Sequence, residues 1–314
     1  LTKLERIIIT SPPAAFLIRK SKKWTFPGSA SIPLYDVFIF FQQQVKKVGL
    51  NERAAAISFN LIMALPAALL FLFSIVPYMP ASERFQRQLL RLFNDISPTS
   101  ETSLFILSMV DALFEKHVGV FSLGFVLLVF YASNAMMGVI RTFDKSIKDN
   151  KGYFFHRRLR AIRLTFILLI VVIASIVLLL GQQQLRGLFN IPRRTYVPWW
   201  NGVRWSIIVC LVFFSISFIY KYAPSIKKRW SLVSPGSLLA TVLMLVTAIL
   251  FSYWVNNFAA YNKVYGSIGT VLIIMLLIYI NSLILLIGFE LNVSITYLTR
   301  QAEAKKLTEI TDPG

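Results

Sequence analysis

Six stretches of this chain are long and apolar enough to cross a bilayer, and that constrains its fold more than any other feature. A helical span needs about 20 predominantly apolar residues. The stretches fall at about 54–78, 118–140, 161–181, 203–222, 232–257 and 260–297. The expected fold is all-α: a polytopic membrane protein of six transmembrane helices, with amphipathic helices at the interface and in the loops. Composition agrees, with 56% hydrophobic residues and a mean hydropathy of +0.65. A length of 314 residues would allow two domains, but a bundle uses its spans as one unit. The expected organisation is a basic N-terminal segment at 1–34, a membrane domain at 35–299 and a short tail at 300–314.

The formal charge of +19 would suggest nucleic acid in a soluble protein. Here the basic residues flank apolar blocks, which fits anionic lipid headgroups and no nucleic-acid partner. Arg19, Lys20, Lys22 and Lys23 form one such cluster, read either as a solvated tail or as a headgroup contact. With the N-terminus inside, 24 of the 33 Lys and Arg fall on the inner side of a six-span topology. That bias places both termini in the cytoplasm. The single cysteine, Cys210, lies in an apolar run and excludes a disulfide or a Cys-based metal site within one chain. No cleavable signal peptide is expected in the first 50 residues, which are basic and only patchily apolar.

Between Tyr35 and Leu50, Val37, Phe38, Phe40 and Phe41 sit beside Gln42–Gln44, Lys46 and Lys47. This is a helix lying along the interface or one packed on the bundle. In the first span Ala56, Asn60, Ala64, Ala67 and Ser74 share a face, and small residues there let helices approach closely. Pro66 is expected to kink that span. In the second span Tyr131, Asn134, Gly138 and Arg141 share a face, while the third span is nearly featureless. The loop at 79–116 carries amphipathic patterns, and Trp199-Trp200 reads as an interfacial anchor.

The last stretch, Ala260–Tyr297, carries the most polar detail. At about 100° per residue, Ser267, Thr270, Asn281, Gly288 and Asn292 share one narrow sector, with Glu290 opposite. A helix with two such faces is expected to sit centrally, packed on both sides. Glu290 is the one acidic residue within the apolar runs. It is either a proton-coupling group or a structural partner of an inner basic residue such as Arg141 or Lys221. The substrate-path candidates are Asn60, Asn134, Tyr261, Asn262, Tyr265, Ser267, Asn281 and Asn292. The alternative is that such residues join helices, each contact contributing about 1 kcal/mol.

Enzyme signatures are missing. The sequence has no HExxH, no phosphate-binding GxxxxGK[ST], no GxSxG and no zinc-ligand spacing. His117 and His156 fall on opposite sides of the expected membrane, so no metal and no cofactor are expected.

Several landmarks together resemble the YihY/BrkB family of bacterial inner-membrane proteins. They are Ala54-Ala55-Ala56-Ile57-Ser58-Phe59 through Leu65-Pro66, then Tyr222-Ala223-Pro224, Trp230 and Pro235-Gly236. Tyr261-Asn262-Lys263-Val264-Tyr265-Gly266-Ser267 and Gly288-Phe289-Glu290-Leu291-Asn292 follow in the same order. Where that family usually has a tryptophan in the last span, this chain has Ile278-Tyr279. The resemblance implies six helices in a bacterial inner membrane. It carries no catalytic residue set, and the ribonuclease BN label attached to some relatives is regarded as a misassignment. The expected function is translocation of a lipid, a glycolipid or another amphipathic small molecule, with no enzymatic activity. The alternatives are a scaffold that recruits partners through its basic segments and, behind it, an intramembrane enzyme or ribonuclease.

Overall fold

A computed structural model of the chain describes residues 33–75, 118–147, 154–180, 193–226, 229–257 and 259–311. Seven helices occupy them: α1 Leu34–Val48, α2 Leu50–Ile75, α3 Val118–Ser146, α4 Phe154–Leu180, α5 Arg193–Tyr222, α6 Pro235–Asn257 and α7 Ala259–Thr311. Successive helices from α2 to α7 pack side by side, and α7 closes the ring by packing on α2. α7 also touches α3 and supports α1.

Five helices contain segments long and apolar enough to cross a membrane among the described residues. They are Leu50–Phe71, Ser122–Ser146, Trp205–Tyr222, Pro235–Trp254 and Val271–Lys305. The remaining expected span, 161–181, falls on α4, a helix of 27 residues. The outer surface suits lipid: Leu69, Val126, Ile170, Ile249 and Leu272 are exposed apolar side chains on five different helices. In water such a surface would drive aggregation.

Gly49 alone separates α1 from α2. Its φ of 65° is left-handed, which glycine adopts without a Cβ clash and which ends α1. The chain then turns so that α1 lies on α7: Val37 is buried, and the Phe40 ring stacks on Tyr297 at 5.1 Å. Of the two readings of this segment, packing on the bundle is what the structure has, with Phe38 left facing out.

The small-residue face of the first span becomes the α2–α3 contact. Ala64 and Ala67 are buried there, and the backbone of Phe71 lies where a Cβ on Gly124 would meet it at 3.4 Å. α2 runs on through Pro66. Several helices outrun their expected spans, α4 starting at Phe154 and α5 at Arg193. α3 continues past residue 140 to Ser146, and α7 continues past Arg300 to Thr311, so the polar stretch after the last span is helical as far as that residue.

The two faces of α7 are both in use. On one, Gly288 meets α6: an added Cβ would lie 2.6 Å from the Gly236 carbonyl oxygen and 2.8 Å from the Ala240 Cβ. On the other, Glu290 meets α2 and α3. Backbones so close need glycine on each side of the crossing.

Candidate functional site

The starts of α2, α4 and α6 and the ends of α3 and α5 meet beside the middle of α7. Most of the chain's described polar side chains with long-range partners collect at this end. Its floor is aromatic. Phe143 stacks on Phe289 with centroids 3.7 Å apart and planes at 7°. Tyr220 and Trp230 lie at 6.2 and 5.4 Å from the same ring. Tyr220 is fully buried and its hydroxyl donates to the Leu285 carbonyl at 2.7 Å, which satisfies the one polar atom the ring brings inside.

Above that floor lie three polar joints. At the first, the Ser146 hydroxyl donates to Glu290 Oε1. Arg53 Nη1 donates to Ser146 Oγ at 2.7 Å and stands 3.7 Å from Glu290 Oε1. Glu290 has no exposure, and its Oε2 has no hydrogen-bond partner among the described residues. A charge in that position is held by its counter-ion and costs several kcal/mol without it. The expected partners, Arg141 or Lys221, are therefore corrected to Arg53. Lys221 instead sits over the Tyr222 ring at 5.7 Å, and Arg141 is exposed.

At the second joint, Asp144 draws in α4 and the exit of α5. Its Oδ2 is 3.1 Å from Arg157 Nε and 3.5 Å from Arg160 Nη2. Its Oδ1 accepts the Ser225 N–H at 3.0 Å, and Arg160 also donates to the Ala223 carbonyl at 2.8 Å.

The third joint is Asn292. Its Oδ1 accepts the Gly236 N–H at 2.8 Å and its Nδ2 donates to Ser234 Oγ at 2.9 Å. The first N–H groups of a helix have no partner within it, so Asn292 caps α6 from a neighbouring helix. One turn further along α7, the Trp230 indole N–H donates to Thr296 Oγ1 at 2.9 Å.

Beside these joints is a cavity of about 460 Å³. Gln44, Ser146, Thr296, Arg300 and Gln301 give it polar walls, and Phe40, Ile226 and Val293 give it apolar ones. A second cavity of about 230 Å³ lies between α2, α3 and α4 and is apolar apart from Thr165. Leu61, Ala64, Ala132 and Leu169 are among its walls.

The expected site residues separate. Asn292 is at the α6–α7 joint. Asn60 bonds the Ala56 carbonyl at 2.7 Å and lies against Gly138, where an added Cβ would be 2.9 Å from its Nδ2. Asn134 accepts from Arg158. Asn281 is half-buried on α7 and lines neither cavity. Tyr261, Asn262, Tyr265 and Ser267 fall on the first turns of α7, at the opposite end of the bundle from Glu290. Arg19, Lys20, Lys22 and Lys23 lie outside the described residues, as does His117. Among the described residues no three His, Cys, Asp or Glu side chains lie together as a metal site would need. Arg53, Ser146, Asp144 and Tyr220 were not singled out by sequence. Their one signal was position: each falls within a turn or two of the end of an apolar run.

Some of the landmarks behind the resemblance converge, while Leu65-Pro66 and Tyr261–Ser267 lie elsewhere on α2 and α7. Ala54, Ala223, Trp230, Gly236 and Gly288–Asn292 all lie at the polar joints or the aromatic floor of this one end.

A family model described as Virulence factor BrkB matches residues 41–311. The Bacillus subtilis protein YfkH, which carries a ribonuclease-like name, is 24% identical over 261 residues, 81% of this chain and 94% of that protein. A UPF0761 membrane protein of Tolumonas auensis is 22% identical over 297 residues, 91% of this chain and 94% of that one. A Xanthomonas campestris protein, also named a UPF0761 membrane protein, is 31% identical over 122 residues, 38% of this chain and 29% of its own length. No solved structure matches the chain.

Proposed function

The chain belongs to the BrkB family of integral membrane proteins, and from that premise we propose that it translocates an amphipathic small molecule, a lipid or glycolipid, across a bacterial inner membrane. The observation that carries this reading is the cavity of about 460 Å³ at the basic end, which pairs polar and apolar walls as a headgroup joined to a chain requires. The apolar cavity between α2, α3 and α4 offers a second, dry space inside the same bundle. The charge bias of the sequence puts the basic end in the cytoplasm, where anionic headgroups attract it.

The ribonuclease-like name of the Bacillus relative raises a second reading, cleavage of a phosphodiester. That chemistry needs a metal cluster or a paired acid and base. The carboxylates at this end are instead engaged by arginines, Glu290 with Arg53 and Asp144 with Arg157 and Arg160. Translocation is the better fit.

The test is reconstitution into vesicles carrying a fluorescent phospholipid or glycolipid on one leaflet. The protein should speed exchange between leaflets severalfold over empty vesicles. Rates equal to empty vesicles across glycerophospholipids and glycolipids would refute the proposal.

A further inference from the structure

The apolar cavity between α2, α3 and α4 opens where α4 leaves its neighbours. α2 and α3 stay packed together as far as Phe71 and Gly124, both of which are buried. The buried residues of α4 end at Leu164 and Thr165, and from Phe166 to Ser175 that helix has none. Alanines face the gap from both sides, Ala64 and Ala68 on α2 and Ala132 and Ala135 on α3, and none is large enough to fill it.

The wall has nothing to hold water. A buried water needs about two to four polar partners, and an apolar cavity of about 150 Å³ without them stays dry and takes up benzene. This one is about 230 Å³. The one hydroxyl among its lining residues, that of Thr165, donates to the Ala161 carbonyl of its own helix at 2.9 Å. An unfilled cavity weakens a fold in proportion to its volume, so an apolar occupant stabilises this one. Position names that occupant. The floor residues Leu128 and Met136 are each 8% exposed, whereas Val172 and Ile173 at the rim are 49% and 38% exposed. The mouth therefore opens sideways, toward the bilayer. On α2 the lining runs from Leu61 to Phe71, about 12 to 27 Å beyond Arg53 at 1.5 Å per residue. In a hydrocarbon core of about 30 Å that is mostly the half away from the basic end, where the apolar material is lipid chain.

We propose that this cavity holds one acyl chain of a membrane phospholipid, which enters past Val172 and Ile173 from the leaflet opposite the basic end and lies against Leu128 and Met136. This deepens the translocation reading by giving a chain of the cargo its own site, but chain binding is measured without transport and stands or falls separately.

The experiment places the full chain in nanodiscs containing a phosphatidylcholine with a photoreactive diazirine midway along one acyl chain. After illumination, mass spectrometry locates the modified residues. Exposed positions such as Val126 and Ile170 report the surrounding lipid whatever the cavity does. Leu128 and Met136 are buried from the surface and are reached through the cavity, so they should be labelled as well. Ala132→Phe fills the space and should lower that floor labelling about fivefold relative to Ile170. Ala68→Leu fills less of it and should lower the labelling about twofold, which serves where the larger ring disturbs the packing. Thr165→Val should leave the labelling unchanged, because the hydroxyl is engaged within α4. Ala248→Phe, at an exposed position on α6, should also leave it unchanged. A floor without label beside a labelled Ile170, or equal floor labelling in the native chain and both filled variants, would overturn the site. Labelling of the floor by a diazirine-bearing solute of benzene size but not by the phospholipid would overturn the lipid source. Floor labelling with no leaflet exchange would support the site and count against translocation.

Discussion

Arg53 Nη1 stands 3.7 Å from Glu290 Oε1, and the Ser146 hydroxyl mediates between them, accepting from the guanidinium and donating to the carboxylate. One side chain each from α2, α3 and α7 thus closes the helix ring at its basic end. The two charges are not placed alike: the Glu290 side chain has no exposure, whereas that of Arg53 is 16% exposed. The arginine retains contact with solvent and the carboxylate depends on the protein.

That asymmetry ranks the substitutions. Glu290→Gln keeps an acceptor for Ser146 and leaves Arg53 near water, so it should cost only about 1 kcal/mol. Arg53→Met leaves a buried carboxylate without a counter-ion and should cost about 3 kcal/mol. The double variant should be more stable than Arg53→Met alone. Unfolding in detergent followed by circular dichroism gives the order. The reverse ranking would mean that packing, not charge, sets the role of this joint.

The Gly236–Gly288 crossing gives a second graded series. A Cβ on Gly288 would stand 2.5 Å from Tyr220 Oη and 2.6 Å from the Gly236 carbonyl oxygen, so α6 and α7 would have to separate. Gly288→Ala and Gly236→Ala should each destabilise by about 2 kcal/mol or more, as overpacking does. Gly138→Ala meets only the Asn60 side chain, which can turn away, and should cost less. Gly202→Ala meets nothing within 4 Å and should be neutral or slightly stabilising, since alanine favours a helix. Thermal midpoints of the four variants test the order.

These joints also mark how far the sequence could be read. Apolar runs announce helices because run length is a local property, and the Ala64–Ala67 face announced a close contact because helical spacing is local too. Two faces on α7 were legible for the same reason. The partner of Glu290 was not. Arg141 and Lys221 are as close to the ends of their apolar runs as Arg53 is, and only the alignment of α2 against α7 selects among the three. The helix past Arg300 was also hidden, because its polar residues carry no apolar period to announce it. Asn292 looks in the sequence like a path residue, because its cap on α6 exists only once two helices cross.

Asn292 should therefore be tested as a cap. Asn292→Ala removes the acceptor of the buried Gly236 N–H and the donor to Ser234 Oγ. The loss should be about 1–2 kcal/mol. Ser234→Ala should cost a similar amount, because it removes the acceptor of the Ser237 N–H and of Asn292 Nδ2, while Gly236 keeps its bond to Asn292. Hydrogen exchange resolves the mechanism: Asn292→Ala should speed exchange at the Gly236 amide and the first turn of α6 while the centre of α6 stays protected. Uniform acceleration along α6 would show a global loss of stability instead.

Asp144 tests whether a joint nearer solvent behaves differently from the one at Glu290. Its side chain is 4% exposed, but Arg157 and Arg160 are 25% and 23% exposed. The Arg157 Nε contact at 3.1 Å is one of charge, not an aligned hydrogen bond. Asp144→Asn keeps an oxygen for the Ser225 N–H and loses the two ion pairs, an expected cost of about 1 kcal/mol given their access to water. Asp144→Ala also orphans that N–H and should cost about 1–2 kcal/mol more. Removing Arg157 alone should cost less than Asp144→Asn, since Arg160 still faces the carboxylate, whereas removing Arg160 also loses its bond to the Ala223 carbonyl. Salt separates the two joints. Mobile ions reach the arginines of Asp144, so the deficit of Asp144→Asn should shrink in about 0.5 M salt, where the screening length falls below 5 Å. The deficit of Arg53→Met should persist, because Glu290 lies beyond the reach of those ions. Equal salt sensitivity of the two variants would place both carboxylates in the same environment, contrary to their packing.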